Sequence, residues 1–185
     1  MRNSIDESII SISSGNGGKG SNHLKREKYN AKGGPDGGNG GKGGDLYIEA
    51  SHNTNTLIFY IRTLIFKAED GHSGGKNNCT GRNGKDLTLN VPVGTQIFDE
   101  QMNLIHDFIK PEKKLILTGG RGGAGNTNYK TAINQAPTKF KPGLPGETKT
   151  IKMILKSLAD IGIIGKPNAG TVSYTHLTLP TTMLV

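Results

Sequence analysis

The stretch Gly37-Gly38-Asn39-Gly40-Gly41-Lys42-Gly43-Gly44 repeats two glycines and one other residue with a period of three. Gly119-Gly120-Arg121-Gly122-Gly123-Ala124-Gly125 repeats the pattern, and Gly17-Gly18-Lys19-Gly20 is a shorter copy. Polyproline II has three residues per turn, so this period keeps the glycines on constant faces and sends every third residue outward. Bare glycine faces let such helices approach backbone to backbone. A flexible linker has no strict period. Collagen would need longer, proline-rich runs, and an arginine–glycine RNA-binding tail would be spaced by aromatics and disordered. Ordered, packed polyproline II tracts are therefore expected.

Between the tracts lie short alternating pieces. Ser8 to Ser13 places Ile10 and Ile12 on one face; Leu46, Ile48 and Ala50 alternate with Tyr47 and Glu49; Leu87, Leu89 and Val91 alternate with Thr88 and Asn90. Residues 114–118 and 148–156 follow the same pattern, and 55–67 is rich in β-branched and aromatic residues. These read as half-buried strands, with turns at Pro92, Gly94, Pro111 and Pro142. No segment carries a 3.6-residue amphipathic period. The 28 glycines among 185 residues also argue against helices, since each costs a helix interior roughly 1 kcal/mol. The fold class expected is mainly β: a barrel- or sandwich-like base with glycine-rich polyproline II helices.

The net charge is +8, and residues 101–185 hold 11 basic against 4 acidic residues. A basic excess gathered in one region points to an anionic partner, nucleic acid first. One cysteine, Cys79, makes neither an internal disulfide nor a cysteine-based metal site, and the five histidines are not spaced as metal pairs. No apolar run reaches the roughly 20 residues of a membrane span, and no secretory leader is visible. A cytoplasmic monomer with no membrane partner is expected.

The ordered features resemble the Obg family of GTPases. Lys25-Arg26-Glu27-Lys28-Tyr29 precedes Lys32-Gly33-Gly34-Pro35-Asp36 and the first long glycine tract. Gly81-Arg82-Asn83-Gly84-Lys85-Asp86, Val91-Pro92-Val93-Gly94-Thr95, Asn134-Gln135-Ala136-Pro137 and Pro145-Gly146-Glu147 follow in family order. The resemblance implies a small β-barrel-like base carrying a bundle of left-handed glycine-rich helices over residues 1–157. It also implies a cytoplasmic protein that uses GTP and Mg²⁺, acts in assembly of the large ribosomal subunit and touches rRNA through this domain. Links to stress and cell-cycle control, with GDP and guanosine tetraphosphate as further ligands, come with the same resemblance.

Residues 158–170 read as the start of an α/β P-loop domain. Leu158 to Ile164 is strand-like, and Gly165-Lys166-Pro167-Asn168-Ala169-Gly170 follows it. A strand leading into G-x-x-x-x-G opens a phosphate loop, whose backbone N–H groups wrap phosphates. The next two residues should be Lys, for the β- and γ-phosphates, and Ser or Thr, for Mg²⁺. Here they are Thr171 and Val172. Residues 171–185 read as an unrelated, disordered tail, too short for the remaining guanine-binding motifs. The expectation is a truncated GTPase stub that binds neither nucleotide nor Mg²⁺ and has no catalytic residue to nominate.

The RNA-binding candidates are Lys25, Arg26, Lys28 and Lys32, with Arg82 and Lys85 in a loop between strands. Tyr29 offers a stacking face. Solvent exposure, or ion pairs with Glu27 or Asp86, is the competing account of each. The alternative functions are a general glycine-rich RNA-binding module and a structural polyproline II domain that binds protein.

Overall fold

The computed structural model describes residues 7–25 and 33–156. Strands β1 (Glu7–Ser13), β2 (Leu46–Ser51), β3 (Ile65–Lys67), β4 (Leu87–Pro92), β5 (Thr95–Phe98), β6 (Leu104–Asp107), β7 (Lys113–Leu117) and β8 (Thr148–Leu155) form two sheets. One sheet runs β3-β1-β8-β5-β6 and the other β4-β2-β7. Alternation explains the packing: in β1 Ile10 and Ile12 are buried, and in β2 Leu46, Ile48 and Ala50. They join Val91, Ile97, Phe108, Ile151 and Met153 in one core. The chain is mainly β, as its alternation predicts.

Two expectations fail in the base. Residues 55–67 do not form one strand: Ile58–Arg62 is a single helical turn, α1, and only Ile65–Lys67 is extended. Leu57 and Tyr60, three residues apart, are both buried against the core. The Tyr60 hydroxyl donates to the Asn90 carbonyl at 2.6 Å, and burial pushes its pKa up to about 12, so it stays a donor. Burial at helical spacing thus overrides β-favouring composition. Strands β5 and β6 also lie where no alternation was read. They are short, and β6 lies at a sheet edge with Leu104 and Ile105 exposed.

Six extended segments project from the base: g1 (14–21), g2 (37–44), g3 (69–75), g4 (79–85), g5 (119–126) and g6 (141–147). Strands β1, β3 and β7 feed g1, g3 and g5 outward, while g2, g4 and g6 return to β2, β4 and β8. Their bonds recur every third residue. The amides of Gly15, Gly18 and Ser21 reach the carbonyls of Gly44, Gly41 and Gly38. Those of Gly38, Gly41 and Gly44 reach Gly75, His72 and Glu69, and those of Gly120, Gly123 and Asn126 reach Gly15, Gly18 and Ser21. Polyproline II makes no internal hydrogen bonds, so its backbone groups are free for such lateral ones.

The bonds close into triangles, g4-g3-g2, g3-g2-g1, g2-g1-g5 and g1-g5-g6. The six segments therefore lie as two rows, g4-g2-g5 and g3-g1-g6. Segment g2 shows the consequence: its six glycines are buried, while Asn39 and Lys42 are exposed. A Cβ on Gly40 would overlap the Gly18 carbonyl oxygen, and one on Gly41 the Arg82 carbonyl oxygen. Where an amide is not taken by a neighbouring carbonyl, a short polar side chain serves. Asp70 accepts from the Asn16 amide, Asn83 from Lys42, and Asp45 from Gly119, all at 2.7–2.8 Å.

Gly40→Ala is expected to destabilise the domain by about 3 kcal/mol or more, because backbone cannot yield to an added methyl. Lys19→Ala, at an exposed outward position, is expected to be within about 0.5 kcal/mol of the parent. Urea unfolding of both variants checks this; equal midpoints would rule out close glycine packing.

Candidate nucleic-acid interface

The outward segments all end at the face of the lattice opposite the sheets. There the described parts of three connections meet: 22–25 with 33–36, 76–78, and 127–140. Asn126, fully buried, ties the first of these to the end of g5. Its backbone amide donates to the Ser21 carbonyl, its Oδ1 accepts from the Gly37 amide at 2.9 Å, and its Nδ2 donates to the His23 carbonyl at 2.8 Å. Thr127 Oγ1 donates to the Gly37 carbonyl and contacts Asn78 Oδ1.

Asp36 is the second knot. Its carboxylate meets His23 Nδ1 at 2.5 Å and accepts the Asn77 amide at 3.2 Å, while the Asn78 amide donates to its carbonyl. Burial opposes ionisation of Asp36, but the bonds from His23 and Asn77 outweigh it and hold the pKa below the usual 3.8. Asn77 and Asn78 take φ of 52° and 59°, a left-handed conformation that asparagine tolerates better than most residues. The 76–78 turn is thereby locked onto Asp36.

These knots leave the cations outside. Lys25, Lys76, Lys130 and Lys139 are exposed, and Lys139 Nζ lies 5.6 Å from the Tyr129 ring centre. Asp36 is the one acidic residue among the described residues of this end, and it is buried. The end is therefore a cationic surface on a rigid frame, with Ile133 fully exposed beside it in sequence. The sequence leaves Lys139, Lys141 and Lys149 either in the same field as Lys25 or solvating the base; Lys139 lies in the 127–140 connection and Lys141 at the start of g6, whereas Lys149 lies in β8 of the base.

Of the residues nominated from sequence, Lys25 lies on this end, with its amide bonded to the Gly34 carbonyl. Arg82 and Lys85 do not: they sit within g4, in the lattice rather than in a loop. Arg82 Nη2 pairs with Glu69 Oε1 at 2.7 Å, not with Asp86; Glu27 lies outside the described residues. The Lys85 amide donates to Glu69 Oε2 at 3.0 Å. That bond first, then His72 and Arg82, lowers the Glu69 pKa. Arg26, Lys28, Lys32 and the stretch Gly165 to Gly170 lie outside the described residues.

The GTP1/OBG family model matches residues 5–157, the base and the lattice together. The chain belongs to the GTP1/Obg family. Its sequence is also 48% identical over 168 residues to the GTPase Obg of Acidobacterium capsulatum, covering 90% of this chain and 49% of that protein. The chain thus spans about half the length of the curated relative it matches. Within this Obg-type domain, no helix of the described residues is long and apolar enough to cross a membrane. No group of three metal-ligating side chains occurs among them either.

The lowered pKa of Asp36 has a sign. Its bonds add stability above the unfolded value of 3.8, and that stability is lost as pH falls through the lower folded value. Asp36→Asn removes this contribution. The variant is expected to be less stable than the parent at pH 6 and to lose less on going to pH 3, as read by urea midpoints. Equal acid losses in both proteins would show that Asp36 is not held ionised by the fold.

Proposed function

We propose that this chain carries the ribosome-binding domain of an Obg-type GTP-binding protein, which works on the large ribosomal subunit in the cytoplasm. The observation that supports this is the cationic end of the lattice, where the connections tied by the buried Asn126 and Asp36 carry the exposed Lys25, Lys76, Lys130 and Lys139. Arg26, Lys28 and Lys32 continue the same connection in sequence. Lysines and arginines on a rigid projection suit rRNA phosphates, which position a protein on RNA without reading bases. Arg82 and Lys85 belong to the same field as a flank of the lattice. The domain acts as a monomer.

Binding through phosphates releases counterions, so affinity falls steeply with salt. Co-sedimentation with purified large subunits is expected to be saturable at 0.1 M salt and to survive excess bulk RNA. The combined variant Lys25→Gln, Arg26→Gln, Lys28→Gln, Lys32→Gln is expected to lose most of it, roughly 100-fold for four lost contacts. Binding erased by bulk RNA would favour the general RNA-binding module instead.

GTP binding and hydrolysis belong to the family, whose members use GTP and Mg²⁺. The residues here do not fit that ligand. Gly165-Lys166-Pro167-Asn168-Ala169-Gly170 would offer backbone amides to phosphates, but Thr171 brings no positive charge and Val172 no oxygen for Mg²⁺. This chain is therefore expected to show no saturable uptake of a fluorescent GTP analogue at micromolar concentration, with or without Mg²⁺. Micromolar affinity in that titration would overturn the reading of residues 165–172 as a broken phosphate loop.

A further inference from the structure

The lattice carries a second basic feature, along its side, that begins at Asn128 of the end connection. A groove of about 610 Å³ runs along its side, lined by Thr80 of g4, Asn39 and Lys42 of g2, Arg121 of g5 and Lys141 of g6, over a floor of glycine backbone. Its lining holds no carboxylate and no aromatic ring. Lys42 is held by both carboxylate oxygens of Asp45 at 2.7 Å. Arg121 and Lys141 have no ion pair among the described residues, and both are exposed. The period-three repeat produces this arrangement: Arg121 occupies the outward position of its tract, as Asn39 and Lys42 do in theirs.

We propose that this groove is an RNA track that takes the backbone phosphates of a single strand through Arg121 and Lys141, in addition to the lysine contacts at the lattice end. It rests on the reading of the domain as RNA-binding and adds a second surface to it. Three features point to a strand rather than a compact ligand. The groove is open and crosses four segments. Its unpaired cations are staggered, since the Lys141 amide bonds to the Ala124 carbonyl and the Leu144 amide to the Arg121 carbonyl. Arg121 and Lys141 are thus about one three-residue turn apart along the axis, on the order of 9 Å, room for two phosphates rather than one. Without an aromatic platform, bases have nothing to stack on, so the contact is electrostatic and indifferent to sequence.

The test compares the full chain with Arg121→Gln/Lys141→Gln, using a labelled 12-nucleotide oligouridine across a salt series. Both side chains are exposed and outside the hydrogen-bonded lattice, so the fold should be retained, which circular dichroism and melting verify. Two lost phosphate contacts on a single strand should make the slope of log K against log salt shallower by about 1.4, with affinity on the order of tenfold weaker at 0.1 M. An unchanged slope and affinity, or no oligouridine binding by the parent chain, overturns the groove. Loss of large-subunit binding in the variant at the lattice end, with oligouridine binding still dependent on Arg121 and Lys141, supports the groove and keeps the two surfaces distinct. Oligouridine binding by the parent with no saturable large-subunit binding overturns the ribosomal reading and leaves the groove standing.

Discussion

Lateral hydrogen bonding between glycine-lined backbones is the interaction on which this molecule depends. Six segments exchange amide–carbonyl bonds every third residue, and each segment can approach its neighbours only because the facing positions lack a Cβ. The lattice has almost no side-chain core. Each net hydrogen bond contributes about 0.5–1.5 kcal/mol, while ordering a residue costs about 1–2 kcal/mol of backbone entropy and glycine more than others. The lattice is therefore not self-sufficient. It forms because every segment is joined directly to a strand of the base, whose apolar core sets spacing and direction.

That dependence accounts for the polar side chains of the projection. Asp45, Asp70, Asn39, Asn83 and Asn126 each accept a lattice amide that has no carbonyl opposite it. An amide left buried and unpaired would cost about 1–3 kcal/mol, so these residues close the register at places where the repeat ends or turns. Asn126 does more than cap. By bonding g1, g2 and the His23 carbonyl together it ties the 22–36 connection to the end of g5, while Thr127 reaches the 76–78 turn at Asn78. The proposed RNA contact would gain from this, because the connections that carry the lysines are already held by hydrogen bonds.

The distribution of charge follows from the same construction. Positions facing inward must be glycine, so charges are confined to the outward positions and to the connections. On the flank of g3 and g4 the charges neutralise one another, Arg82 with Glu69 and Lys67 with Asp70. In the groove, Arg121 and Lys141 have no such partner among the described residues. The separation of the paired flank from Arg121 and Lys141 is a property of how the segments are laid side by side, not of any one of them.

Much of this was legible in the residues. The period of three in Gly37 to Gly44 and Gly119 to Gly125 announced close-packed glycine helices, because geometry allows that period few other uses. The alternation in β1, β2, β4 and β8 announced sheets, because each buries one face. What sequence could not reveal was everything set by a distant partner. Residues 69–75 and 141–147 carry no obvious repeat, and join the lattice because neighbours already in place offer them carbonyls. Ile58–Arg62 turns helical because Leu57 and Tyr60 are buried together. Arg82 is drawn to a carboxylate thirteen positions away rather than to its sequence neighbours. Local spacing decided which conformations each segment could adopt; only tertiary packing, through lateral bonds between segments far apart in the chain, decided which charges were neutralised and which were left facing solvent.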